Sequence, residues 1–371
     1  MPTVDMSQQP LPDAPSQRGP MPVGFWAHGR YYGGWRPRKY LFPIDEEEAN
    51  RLDLFNQFFL VARKQAIATR RLSFDRPLRV LDLGTGTGIW AITVCDSVGP
   101  EGVIPEVMAV DLNRIQPNFI PRGFVPMQFD IEDPCWDPLL MDCDLVHLRM
   151  LYGSIQTDLW PETYHKIFQR LTPGTGTLEH VEIDWVPRWE GSGDTPPNSA
   201  LLDWANQFLA ALDLFSRSAR VVPQAVRTMI ERAGFVDFKE QTIRCYVNPW
   251  MADKDDQLTA RWFNLSLKHS MESMSLMPMV EKLGMTVEEV KHLCEQAKDE
   301  CTRLRYHGYC TMYIWTARKP ADGPSTRRSE MGHSLQARQM YERTNAGSEG
   351  LKDYWHSESD QQHRLKPNCL S

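Results

Sequence analysis

Four things are scarce or missing in this 371-residue sequence, and each narrows the field. No Cys-x-x-Cys pair occurs: the eight cysteines stand apart at positions 95, 135, 143, 245, 294, 301, 310 and 369. That spacing argues against a zinc module and against a dense disulfide framework. Reduced thiols in cytosol or nucleus are the simpler reading. His307 and Cys310 have a spacing that a metal can use, but one such pair in a strand-like segment reads as core, and no metal is expected. No window approaches the about 18 uninterrupted apolar residues of a membrane span, and the N-terminus lacks the charged-then-apolar layout of a secretory signal. A soluble, intracellular protein without a membrane partner is expected. Basic charge is not in excess: 41 Lys and Arg against 48 Asp and Glu leave a net charge of −7. Direct sequence-specific DNA binding is therefore not expected. There is no internal repeat, and 42% hydrophobic residues suffice for a sizeable core.

What is present concentrates in Val80-Leu81-Asp82-Leu83-Gly84-Thr85-Gly86-Thr87-Gly88-Ile89-Trp90, an apolar strand that ends in a three-glycine turn. A turn that brings its backbone close to a ligand and then starts a helix favours glycine, because a Cβ blocks the approach or the positive φ. The spacing is G-x-G-x-G with Asp82 two residues ahead, whereas the dinucleotide fingerprint is G-x-G-x-x-G, built for a pyrophosphate that Asp82 would repel. A carboxylate there suits the ammonium of a cationic amino-acid cofactor. The cofactor implied is S-adenosylmethionine rather than a nicotinamide dinucleotide. Asp111, ending the β-type run 107–111, stands where such units hold the ribose hydroxyls. Asp130 in Phe129-Asp130-Ile131 falls where an acid can sit beside the adenine.

The run from Gly29 to Glu48, which opens Gly29-Arg30-Tyr31-Tyr32-Gly33-Gly34-Trp35, precedes this loop. With the stretches Asp111 to Asn118, His147 to Ile155 and Leu178 to Ile183, it resembles the fungal LaeA-like methyltransferases over roughly residues 25 to 320. The resemblance implies a class I methyltransferase with Asp82, Gly84, Thr85, Gly86 and Gly88 at the methionine end of the cofactor. It puts Asp111 and Leu112 at the ribose, Asp130 and Ile131 at the adenine, and Tyr40 as a lid. It further implies a nuclear role with velvet-family regulatory proteins, controlling secondary-metabolite clusters and linking them to sporulation and light.

The pattern predicts disordered tails over 1–24 and 321–371, an N-terminal lid and helical segment over 25–77, and a methyltransferase domain over 78–320. Asp45 caps a helix with Glu48 three residues on, and Leu52, Phe55, Phe59 and Ala62 recur at helical spacing. The acidic start is read as a solvated helix end. Strands are expected at 78–83, 106–111, 125–129, 143–148 and 176–184, with helices at 87–97 and 159–171 between them. Helices at 198–216 and 222–233 follow, then strands at 235–247 and 308–316 around a helical insertion at 256–303. This is an α/β fold with a doubly wound, mostly parallel seven-stranded sheet, the cofactor lying at the carboxyl ends of the strands where their order reverses.

Methyl transfer needs mainly a nucleophile placed in line, sometimes with a proton acceptor. His147, and His180 with Glu182 two residues on, are the candidate catalytic side chains, a hydrogen-bonded structural pair being the alternative for the latter two. Arg149 is read as half of a structural salt bridge in preference to a substrate contact. Trp26, Tyr31, Tyr32, Trp35, Tyr40, Trp185 and Trp189 fit either pocket walls or packing. The methionines at 271, 274, 277 and 279 fit core before contact surface. Arg36, Arg38 and Lys39 are too few to establish a nuclear import signal. Three functions stay open at this level: a protein methyltransferase, a regulatory subunit whose cofactor site is not used for turnover, and a small-molecule methyltransferase.

Overall fold

The computed structural model describes residues 23–99, 101–191 and 195–321, so the two expected tails lie almost wholly outside the described residues. The described residues of 23–133 and 139–321 group as one compact unit. Of the other unit only the loop 134–138 is described.

The chain enters through a hairpin of β1 (Gly24–Ala27) and β2 (Arg30–Gly33) that the sequence reading did not contain. His28 and Gly29, at φ 51° and 78°, make its two-residue turn. Helix α1 (Glu46–Ala62) starts where expected, the Asp45 carboxylate accepting from Glu48 N at 3.0 Å. Its acidic start is not all solvated. Glu48 is fully buried against Arg51 (2.8 and 2.5 Å), and Asp45 takes two bonds from Arg30 (2.8 and 2.7 Å). Those cations come from the hairpin and the next helical turn, which is why the acids turn inward.

Strand β3 (Arg79–Leu83), helix α2 (Ile89–Asp96), β4 (Glu106–Asp111), β5 (Phe124–Gln128), β6 (Leu145–Arg149), α3 (Trp160–Arg170) and β7 (Thr177–Trp189) follow in the predicted order. Then come α4 (Ala200–Asp213), α5 (Pro223–Arg232), β8 (Val236–Tyr246), α6 (Lys254–Leu283), α7 (Val287–Glu300) and β9 (Gly308–Arg318). The main sheet has the order β5-β4-β3-β6-β7-β9-β8, parallel from β5 to β7 and antiparallel at both β9 pairings. Continuous burial of Val80 to Leu83 is what a central parallel strand covered on both faces requires. The order reverses between β3 and β6, which sets the ligand crevice at their carboxyl ends.

Apolar residues gather on both sides of the sheet. Leu78, Val80, Val107 and Phe124 pack with Trp90 and Val94 of α2. A larger cluster joins α1, α4, α6 and α7 to β7, β8 and β9. Met271, Met274, Met277 and Met279 belong to it, each at most 4% exposed, so they are core. Cys310 is buried in the same cluster, while His307 stacks on Trp250 with centroids 3.8 Å apart. Among the described residues no helix is long and apolar enough to cross a membrane.

Candidate cofactor and methyl-transfer pocket

A pocket opens at the reversal point, over the carboxyl ends of β3, β4 and β6, with α1, α6 and the segment 39–44 around it. Gly84, Gly86 and Gly88 have φ of 71°, 58° and 80°, the left-handed region in which a side chain is strained. They do not play one role. An added Cβ at Gly84 would lie 2.3 Å from Leu151 Cδ2, and at Gly88 2.8 Å from Phe124, so those positions are dictated by packing within the protein. At Gly86 the nearest atom is the Leu52 tip at 3.2 Å. Gly84 and Gly86 line the pocket, whereas Gly88, expected at the methionine end of the cofactor, is the N-cap of α2 and stands outside the pocket wall.

The loop is held from several sides. Thr85 Oγ1 donates to Asp82 at 2.6 Å, Thr87 Oγ1 to Asp53 of α1 at 2.6 Å, and Gln116 Nε2 to Gly86 O at 2.6 Å. Asp111 accepts from Gly86 N on one oxygen and from Asn113 N on the other, both at 2.8 Å. Burial pushes its carboxyl up to about 6, against the pull of those backbone bonds. Each oxygen keeps lone-pair capacity for a hydroxyl donor. Asp82, Thr85, Leu112, Asp130, Ile131 and Tyr40 also line the pocket. Asp130 is already engaged: Lys39 Nζ lies 2.6 Å from its Oδ2, and Arg36 3.4 Å. Lys39 also reaches Glu132 at 2.9 Å. The basic residues of the entry segment thus tie that segment to the 130–132 side of the pocket.

Of the two candidate histidines, His147 lines the pocket and His180 does not. His147 is 1% exposed, donates through Nδ1 to Asp82 at 2.9 Å, and stacks on Trp90 at 3.7 Å between centroids. Burial keeps the imidazole below its ordinary pKa, with Asp82 opposing, so it is a neutral prop under the loop. His180 is fully buried between Tyr164 OH (2.8 Å) and Glu182 (2.9 Å) and is absent from the pocket wall. Glu182 does line it, and its Oε1 also accepts from Leu151 N and Tyr152 N at 2.8 and 3.0 Å. The pair therefore shapes the β6 to α3 loop.

Residues beyond the glycine motif complete the wall: Phe42, Ile44, Arg51, Leu52, Phe55 and Phe59 from the entry segment and α1, Arg149 from β6, Trp185 from β7 and Met274 from α6. The apolar spacing of α1 marked its buried face, but nothing local marked that face as a pocket wall. Of the entry aromatics Tyr40 lines the pocket, Tyr32 is buried in the core and Trp26 is 68% exposed. Trp189, partly buried, lies outside the pocket wall.

A family described as methyltransferase domain matches residues 58–239. The chain is 55% identical over 297 residues to the secondary metabolism regulator laeA of Fusarium oxysporum f. sp. lycopersici, covering 80% of this chain and 92% of that protein. The secondary metabolism regulator LAE1 of Cochliobolus heterostrophus is 37% identical over 304 residues, 80% of this chain and 95% of that one. A solved structure, phosphoethanolamine N-methyltransferase 2 of Haemonchus contortus, is similar at a TM-score of 0.40 and 14% identity over 72% of this chain and 53% of that one, too distant to carry weight.

Proposed function

We propose, from the premise that this chain belongs to the LaeA/LAE1 family of secondary metabolism regulators and carries a methyltransferase domain, that it transfers a methyl group from S-adenosylmethionine to a protein, itself included, as a nuclear regulator of secondary-metabolite gene clusters and sporulation. The partners in this reading are velvet-type regulatory proteins. The observation that carries it is the pocket itself, whose wall holds Asp82, Asp111 and Asp130 together with the glycine turn at the reversal of strand order. These groups fit the cofactor: a carboxylate for an ammonium, an acid with two oxygens open to hydroxyl donors, and backbone free of Cβ. Bound S-adenosylmethionine supplies a methyl already activated by its sulfonium. The chain's part is to hold the acceptor in line and to keep water out. The exposed indole of Trp26 supports a docking partner, since large exposed aromatics favour interfaces.

A second reading, a compact metabolite as acceptor, is favoured by one feature. The part of the pocket beyond the glycine loop is walled by Phe42, Phe55, Phe59, Trp185 and Met274, which suits a small apolar body. The full chain and a Gly86→Val variant, incubated with methyl-labelled S-adenosylmethionine and nuclear extract, separate the two. Label in protein, and only with the unmodified chain, is expected. Label confined to small molecules selects the metabolite reading, and cofactor binding without transfer would overturn the enzyme reading in favour of a regulatory subunit.

A further inference from the structure

Arg149 closes β6 beside β3 and projects into the pocket wall, where it is only partly exposed. The structural ion pair that the sequence suggested for it does not form among the described residues. Among the described residues its contacts are one hydrogen bond to Asn56 Oδ1 at 3.0 Å and the face of Phe59, 4.6 Å from the ring centroid. The two carboxylates that act on its charge bond other groups of the protein. Asp82 bonds Thr85 and His147, and Glu179 bonds both terminal nitrogens of Arg63 at 2.9 Å and Thr69 N. Burial pushes the guanidinium down to about 10, against the pull of Asp82 and Glu179. It therefore stays charged at neutral pH, inside a cavity and without a counter-ion in contact. A half-buried cation in that state is costly unless something anionic completes it.

Register fixes where that anion must come from. His147 pairs with Asp82, and Arg149 stands two residues further along the same strand on the same face of the sheet. An acid and a base thus flank one end of the cofactor pocket without bonding each other. Such an arrangement is complementary to a zwitterion, ammonium toward Asp82 and carboxylate toward a guanidinium fork.

We propose that Arg149 holds the α-carboxylate of the methionyl group of S-adenosylmethionine, opposite Asp82 on its ammonium; this rests on the cofactor reading above and assigns its amino-acid subsite. Calorimetric titration of the purified full chain and of Arg149→Gln with S-adenosylmethionine and with decarboxylated S-adenosylmethionine, which differ only in that carboxylate, tests it. The unmodified chain should prefer the carboxylated molecule by about 10- to 100-fold, the range of one charged bidentate contact. Arg149→Gln should erase the preference while leaving the decarboxylated molecule's affinity within about twofold, and Arg149→Lys should restore part of it. An equal loss for both molecules would mark Arg149 as structural and overturn the assignment, as would an undiminished preference. If the unmodified chain bound neither molecule, the cofactor reading itself would fall and this assignment with it.

Discussion

Asp111 sits where burial and backbone donors pull its carboxyl in opposite directions, and burial wins. A raised folded-state pKa means that the protonated acid favours folding: that contribution is full below about 4, the unfolded value, and is lost as pH rises through about 6. A ligand that donates hydroxyls to the ionised form has the opposite sign. At pH 5 about a tenth of Asp111 is ionised and at pH 7 about nine tenths, so S-adenosylhomocysteine should bind roughly tenfold more weakly at pH 5. Asp111→Asn should flatten that dependence, and an unchanged slope in a pH series of titrations would overturn the proposed contact of Asp111 with the ribose hydroxyls. Asp82, Gly84, Gly86 and Asp111 were legible in the sequence because a strand end, a positive φ and a close backbone approach each demand a particular residue type at a fixed spacing. Arg149 was not. Its meaning depends on which carboxylates are already taken, and Arg63 and Glu179, which settle that, lie 116 positions apart.

The elements themselves were readable from apolar runs and caps, to within a few residues. The hairpin β1–β2 escaped because His28-Gly29 lacks the Asn-Gly or Asp-Gly signature and its strands are four residues each. Helix α4 shows how much of an element's stability comes from outside it. Its first turn is capped by Ser199 and also by Glu300 from the end of α7. Glu300 accepts from Ser199 Oγ and Ala200 N, both at 2.7 Å. Glu300→Ala would leave those donors at a helix N-terminus without their anion, a loss of about 2 kcal/mol. Urea unfolding should register that loss, while S-adenosylhomocysteine affinity stays within about twofold, because α4 contributes no side chain to the pocket wall.

For the whole molecule, seven strands and their class were foreseeable, but the roof of the pocket was not. The helical insertion packs its α6 on the hairpin and on α1, where Ser273 meets Arg30 and Ser270 meets Arg51 across 243 and 219 positions. Contacts at such distance leave no periodic trace. The remaining side is closed by the entry segment through Lys39, Asp130 and Glu132. Partly exposed pairs of this kind add little to stability, about 1 kcal/mol or less, so their expected effect is on ligand exchange past this segment. Lys39→Ala should speed dissociation of S-adenosylhomocysteine severalfold in stopped-flow traces and hardly move the unfolding midpoint. An unchanged off-rate would mean that ligand leaves by another route.

Strand β9 lies between β7 and β8 although it is made last of the three. On the ribosome, therefore, the nascent protein carries β7 and β8 with backbone edges that have no neighbour until Arg318 has cleared the exit tunnel. Open edges of that kind recruit other chains. The last described strand is thus the closing clasp of biosynthesis: a product cut short before it would leave one edge of β7 and the inner edge of β8 open.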